Sequence, residues 1–208
     1  MVFFGPSIGT FTFGDNESLL RFTPFPNFSG VVNFGYRALD SLGAESPSVT
    51  LTITVSAVND LPIANDDAAT LAEDAPPTTI AVLANDSDVE GAVTIVSAGP
   101  SAGGQVTFTA TSVTYQPFAN FNGTDSFSYT IQDGEGATAT APVTVVVTSV
   151  NDPPVAADDG PFEVAEDETL AVTAATLLAN DTDVDFGDAQ AIVFVATPLH
   201  GTATIIGP

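Results

Sequence analysis

An all-β protein made of tandem antiparallel β-sandwich domains is what the sequence predicts, on three observations. Apolar and polar residues alternate with period two through several runs; Gly- and Asn-bearing turns separate the runs about every 8 to 12 residues; and the whole series recurs along the chain. Alternation of this kind buries one face of each strand. No stretch sustains the 3.6-residue period of a surface helix.

The repeat is read by setting residues 22–40, "FTPFPNFSGVVNFGYRALD", over 115–133, "YQPFANFNGTDSFSYTIQD". Pro24 meets Pro117, Gly30 meets Gly123, Tyr36 meets Tyr129 and Asp40 meets Asp133, each pair 93 positions apart. Further on, "AVNDLPIANDD" at 57 returns as "SVNDPPVAADD" at 149, "LAEDAPP" at 71 as "VAEDETL" at 164, and "LANDSDVEG" at 83 as "LANDTDVDFGD" at 178. The chain therefore divides into the C-terminal part of one repeat (1–58), a complete repeat (59–150) and the N-terminal part of a third (151–208). In the complete repeat, "QVTFTATSVTYQP" sets Val106, Phe108 and Ala110 against Thr107 and Thr109, and "DSFSYTI" sets Phe127, Tyr129 and Ile131 against Ser126, Ser128 and Thr130. "APVTVVVTSV" closes the unit, and "AGPSAGG", "NFNG" and "DGEG" supply the turns, with Gly and Asn where positive φ is needed. About seven short strands per repeat predict an immunoglobulin-like sandwich.

Composition sets the function classes. The chain has 208 residues, 44% of them hydrophobic and 15 of them Phe, enough apolar material for packed cores. Its 26 acidic residues face two basic ones, Arg21 and Arg37, for a net charge of −24. Such a field repels phosphate backbones and anionic lipid, which argues against nucleic acid and membrane insertion, and it attracts cations. Carboxylates at this density must be spread in solvent, screened by salt or gathered around metal. Cysteine is absent, no run is long enough to span a bilayer, and "MVFFGPSIGTF" lacks the basic start of a secretory signal.

The clustered oxygen donors are Glu73 and Asp74, Asp86 and Asp88 in "NDSD", Asp133 in "QDGEG", and the Asn-Asp-x-Pro junctions. Calcium takes six to eight oxygens at about 2.3–2.6 Å and tolerates irregular geometry, so these residues supply its chemistry. His200 is the one imidazole and thiols are missing, which argues against zinc, copper and haem. "PLHGT" places His200 in a turn, without the nucleophile that a catalytic base would accompany, and no catalytic role is assigned. The sequons at Asn16, Asn27, Asn85, Asn122 and Asn180 read as turns, as do Asp66, Asp67, Asp158 and Asp159.

The order "AEDAPPTTIAVLANDSDVEG", "DSFSYTIQDGEG", "VTVVVTSVNDPP" resembles the cadherin repeat, and more closely the cadherin-like tandem repeats of large secreted bacterial adhesins. The resemblance implies calcium between successive domains. At the second junction it implies Glu73 and Asp125 from the upper domain, Asn151 and Asp152 from the linker, and Asp181 and Asp183 from the lower. At the first it implies Asn59, Asp60, Asp86, Asp88 and Asp133, with Val32 standing where the next repeat has Asp125. Both linkers depart from the cadherin pattern, with Ala57 or Ser149 for the leading Asp and Leu61 or Pro153 for the last Asn, which implies fewer ions. Two alternatives stay open: a self-contained calcium loop of Asp181, Asp183, Asp185 and Asp188, and a merely salt-adapted surface.

The expected function is a non-enzymatic, calcium-stiffened adhesive or spacer segment of a large bacterial surface or secreted protein, in which repeats contact their neighbours. Its expected partners are calcium, neighbouring repeats of the same protein and a cell-surface protein or glycan. The alternative is a carbohydrate- or protein-binding repeat appended to a secreted enzyme. Because 1–58 holds the later strands of a sandwich and 151–208 the earlier ones, head-to-tail self-association through the half-repeats is also expected.

Overall fold

The computed structural model describes residues 8–13, 19–185 and 187–206; the start of the chain and the Asn16 sequon lie outside them. Eleven strands are described. The first segment contributes β1 (Gly9–Phe13), β2 (Leu20–Pro24), β3 (Gly30–Tyr36) and β4 (Val49–Val55). The middle segment contributes β5 (Asp67–Ala72), β6 (Thr78–Ile80), β7 (Thr94–Ala98), β8 (Gly104–Phe108), β9 (Val113–Pro117), β10 (Gly123–Gln132) and β11 (Thr138–Thr148). These last seven form a sandwich of two sheets, ordered β5-β11-β10-β7 and β6-β9-β8.

Period-two alternation builds the core as expected where the strands are long. Phe127, Tyr129 and Ile131 of β10 face inward with Ala141, Val143, Val145 and Val147 of β11, and Val113 and Tyr115 of β9 close over them. Each of the Val, Ile and Phe side chains among them contributes about 1.5–3 kcal/mol by leaving water. The alternation at "QVTFTATSVTYQP" works out differently. The run is two strands: Thr109 Oγ1 accepts from the N–H groups of Thr111 (3.3 Å) and Ser112 (3.1 Å) and folds the chain back. Phe108 and Ala110 are consequently exposed, Val106 is half-buried, and Val113 and Tyr115 supply the apolar face. A hydroxyl-capped turn without Gly or Pro left no strong mark in the sequence.

Gly104 is required by a close approach. A Cβ there would lie 2.4 Å from the Tyr115 ring and 2.6 Å from the Gln116 carbonyl oxygen, and Gly9 meets Phe22 in the same way at 2.6 Å.

One pairing departs from the antiparallel expectation: β5 runs parallel to β11, with Asp67 opposite Val143 and Ala72 opposite Thr148. The chain enters the sandwich at one pole, where Asn59 bonds to Asp133, and leaves at the other, where Val150 bonds to Glu73. First and last strands of a unit entered and left at opposite ends point the same way. When they become neighbours they pair in parallel.

The first segment repeats half of this plan. β1 pairs with β2 and β3 with β4, Gly9 opposite Pro24 and Gly30 opposite Val55, just as Gly104 lies opposite Pro117 and Gly123 opposite Val147. Phe11 packs edge-on to Phe34 at 4.6 Å, joining the two pairs. Among described residues beyond 150 there is no ladder, only the bridge Val155–Thr182, which repeats Ile63–Ser87. A helical turn, absent from the strand-only expectation, stands at each "LAND": a 3-10 turn at Val82–Ala84 runs into the first, and α1 at Ala174–Leu177, capped by Thr173 Oγ1 accepting from the Thr176 N–H at 3.2 Å, precedes the second.

Candidate functional site

The acidic residues gather at the two linkers, and local hydrogen bonding explains how. At the entry pole the β10–β11 hairpin wraps Asp133: its Oδ1 accepts from the N–H groups of Glu135 (3.0 Å), Gly136 (2.6 Å) and Ala137 (2.7 Å), and its Oδ2 accepts from Asn59 Nδ2 (2.7 Å). The Asn59 amide, with these backbone donors, holds the Asp133 carboxyl below the usual carboxylate range against the opposing pull of desolvation. Asp86 Oδ1 accepts from the Asn65 N–H at 2.8 Å and its Oδ2 from the Tyr129 hydroxyl at 2.9 Å, so the linker is stitched to the "LAND" turn. Asp88 Oδ2 accepts from the N–H groups of Glu90 and Gly91, while its Oδ1 is buried without a partner. Glu90 Oε2 faces the Asp60 N–H at 3.4 Å.

The exit linker repeats the arrangement. Ala157 N–H donates to Asp181 Oδ1 at 2.9 Å, Asn180 Nδ2 to the Asp158 carbonyl at 3.0 Å, Asp185 N–H to Asp183 Oδ1 at 3.0 Å and Asp152 N–H to Asp185 Oδ2 at 2.6 Å. From the sandwich side comes Glu73, 4% exposed, whose Oε1 accepts from the Val150 N–H at 2.6 Å and whose Oε2 accepts from Asn122 Nδ2 at 3.1 Å. Asp152 sits among them with Oδ2 buried and unpartnered. Desolvation, then the charges of Asp74, Asp185, Glu73 and Asp183, push its carboxyl above the usual range. A cleft of about 350 Å³ lies beside it, lined by Asn122, Ser149, Asn151, Val184, Asp185 and Asp188. Among the described residues no three carboxylate or imidazole groups already converge as ligands of one ion.

Of the residues singled out from sequence, the structure brings Glu73, Asp152 and Asp183 into one electrostatic neighbourhood at the exit. Asn151 is exposed, its Nδ2 donating to the Asp152 carbonyl at 3.0 Å. Asp181 is spent on the linker backbone. Asp125 is spent inside the sandwich: Oδ1 accepts from the N–H groups of Ser126 (2.8 Å) and Ala102 (3.2 Å), Oδ2 from Gly103 N–H (3.0 Å) and the Tyr115 hydroxyl (2.8 Å). Asp74, Glu90 and Asp185 join the two clusters without having been named as inter-domain ligands. The shared spacing in "DSDVE" and "DTDVD" is the signal that marks Glu90 and Asp185. His200 is exposed in a bend.

Asp67 presents a separate crowding. Its Oδ2 is buried and unpartnered, and desolvation raises its pKa despite help from Tyr129 and Asn85, with Asp86 and Asp66 adding repulsion. Asp67→Asn is expected to stabilise the sandwich at pH 7 by about 1 kcal/mol, or ~4–8 °C, by removing that charge. A carboxyl raised in the fold binds its proton more tightly than in the unfolded chain. Wild-type stability from this group therefore grows as pH falls toward about 4, and the variant's advantage shrinks. Thermal melts at pH 7 and pH 4.5 check both signs; an unchanged or lowered transition at pH 7 contradicts the account.

A seven-stranded sandwich, preceded by half of the same plan and followed by the same linker bonding, defines a tandem Ig-like β-sandwich protein. The chain matches the bacterial Ig domain family over residues 59–146 and 151–208, and it belongs to that family. A comparison with curated proteins found no match. Among solved structures, the endo-fucoidan hydrolase MfFcnA9 from glycoside hydrolase family 107 is similar over 68% of this chain and 26% of that one, at 16% identity and a TM-score of 0.31, too low to bear on function. No helix among the described residues is long and apolar enough to cross a membrane.

Proposed function

We propose that this chain is a non-catalytic, extracellular segment of a bacterial surface or secreted protein, in which Ig-like repeats joined end to end are stiffened at their linkers by calcium. Family membership supports the surface or adhesive-type repeat. The observation that carries the calcium is Asp152, whose buried Oδ2 has no partner while Glu73, Asp74, Asp183 and Asp185 crowd it. A buried acceptor among like charges is costly unless a cation joins it. Hard oxygen donors of this kind suit calcium, and these five carboxylates are the residues that would hold it. At the entry linker Asp60, Asp88 and Glu90 would play the corresponding part, Asp88 Oδ1 being buried and unpartnered there. Bound calcium supplies positive charge that ties sandwich, linker and following turn together. The chain's own bonds, Asn59 to Asp133 and Val150 to Glu73, pin each linker to the middle sandwich.

A ligand that binds only the folded state stabilises it by RT ln(1 + [L]/Kd), about 2.7 kcal/mol at a hundredfold excess over Kd. Millimolar calcium is therefore expected to raise the melting temperature by ~10–20 °C over chelator. Sodium chloride at equal ionic strength should give only the screening part of that rise. If sodium chloride reproduces the whole rise, the acidity is salt adaptation and the calcium joints are wrong.

A further inference from the structure

We propose that the outer face of the β5-β11-β10-β7 sheet is a side-to-side docking surface for the same face of a second copy of this chain. The complete sandwich, residues 59–150, carries eleven acidic residues and no Lys or Arg, yet none of those carboxylates stands on this face. Along β11 the outward positions are Thr138, Thr140, Pro142, Thr144, Val146 and Thr148, all exposed, and the outward positions of β5, β10 and β7 are uncharged as well. Asp67 of β5 and Asp125 of β10 take inward places in the alternation. Every other acid of the repeat lies in a linker or a turn.

Covering such a face forfeits few hydrogen bonds to water, because several of its hydroxyls already have partners within the sheet. Thr130 Oγ1 and Thr140 Oγ1 bond to each other across the strands at 2.9 Å, Thr148 Oγ1 donates to the Leu71 carbonyl at 3.3 Å, and Thr94 Oγ1 donates to the Gln132 carbonyl at 3.4 Å. A buried polar group is tolerated when it is bonded in this way. What the face offers a neighbour is methyl groups, Pro142, and the side chains of Val96 and Val146, 42% and 41% exposed.

The makeup of the face selects its occupant. It has no aromatic ring to stack on a sugar, no cation to hold an anion and no carboxylate to hold a basic peptide. Two chains of charge −24 repel, and they approach most closely where charge is missing, along this side and away from the acids at the linkers. A neutral sheet of small side chains can pack on its own copy face to face, about 10 Å apart, in an isologous contact. Strands of 6, 11, 10 and 5 residues, at about 3.3 Å by 4.8 Å per residue, supply about 500 Å² from each copy, or about 1,000 Å² in all. That is the lower end for a specific interface, so the pairing of one repeat with another is weak and grows with concentration. Thr50, Thr52 and Thr54 of β4 hold the places of Pro142, Thr144 and Val146 and are uncharged too, so the surface recurs between repeats and aligned arrays would add its contacts.

Light scattering of the 208-residue chain in concentrated sodium chloride with chelator tests the pairing, since salt screens the acids and chelator keeps the result independent of the calcium joints. The expected weight-average mass climbs from 21.1 kDa toward twice that value as protein concentration rises. Thr144→Glu, opposite Ser126 in the middle of the face, sets like charges against each other across the contact and should hold the mass at that of the monomer. Ser128→Glu should do the same from the neighbouring strand. Thr107→Glu, exposed on β8 of the other sheet, adds the same charge and should associate as wild type does. All three side chains are exposed, so the melting of the middle sandwich should stay unchanged. A wild type that is monomeric at every concentration, face variants that associate as wild type does, or an equal loss in Thr107→Glu overturns the proposal.

Discussion

Asp125→Val is expected to cost the middle sandwich about 3 kcal/mol, a fall of ~12–24 °C in its melting temperature, and most of that cost should not come from packing. Asp125 is 6% exposed and gathers four donors: the N–H groups of Ala102, Gly103 and Ser126 and the Tyr115 hydroxyl. Removing the one acceptor leaves the Gly103 N–H and the Tyr115 hydroxyl buried and unpaired and also loses the half-buried bonds from Ala102 and Ser126, which together cost more than a single hydrogen bond contributes. The chain itself contains the compensated version. In the first segment Val32 holds the position of Asp125 and Phe22 the position of Tyr115, so acceptor and hydroxyl are exchanged for apolar groups together, and Val32 is 2% exposed. Adding Tyr115→Phe to Asp125→Val should therefore recover about 1–2 kcal/mol, although Tyr115→Phe alone destabilises, because the backbone N–H groups remain unpaired in the double variant. Urea melts of the four proteins give the cycle; strictly additive losses would show that hydroxyl and carboxylate do not act as a unit.

The same site has a pH signature. Burial pushes the Asp125 carboxyl up, but the Tyr115 hydroxyl and the N–H groups of Ser126 and Gly103 outweigh it, and the net shift is downward. A depressed carboxyl contributes stability that is complete above its unfolded value, about 3.9, and is lost as pH falls through the lower folded value. Its partner moves the other way: burial and then the Asp125 carboxylate raise the Tyr115 phenol, keeping it a donor throughout the neutral range.

How much of this was legible follows from what each pattern encodes. β10 and β11 were legible because both are long and inward-facing on every second residue. Periodicity says which face is buried but not which way a strand runs, so the parallel β5–β11 pairing could not be read from it. The turn at Thr109–Ser112 was hidden because it rests on a threonine hydroxyl and lacks Gly, Pro and Asn. The repeat located both acidic linkers, since "NDSDVE" and "NDTDVD" recur with their linkers. It could not divide the acids between joint and core. Asp125 looks like one more turn acid in "NGTDSF", and only its exchange for Val32 alongside Tyr115 for Phe22 hints that it answers to a neighbour inside the sandwich.

Asp152→Asn is expected to change sign with calcium, which makes it the sharpest test of the proposed joint. In chelator, Asp152 holds a buried oxygen with no donor, against four carboxylates that desolvation leaves poorly screened. An amide removes the charge and can donate to a neighbouring carboxylate, so the variant should hold the exit linker more tightly than wild type. In calcium the order reverses, because the amide withdraws a negative ligand from a cation that the remaining acids must bind alone; roughly a tenfold or greater loss of calcium affinity is expected. Amide hydrogen exchange reads the linker directly. The Asp152 N–H bonds to Asp185 and the Val155 N–H to Thr182, so both report whether the following turn stays docked. In chelator their exchange should be slower in the variant; in millimolar calcium it should be slower in wild type. Asp66→Asn, on an exposed side chain at the entry linker, should shift neither. Slower exchange in the variant under both conditions would mean that charge relief is all that occurs at Asp152, and the calcium joint would have to be abandoned.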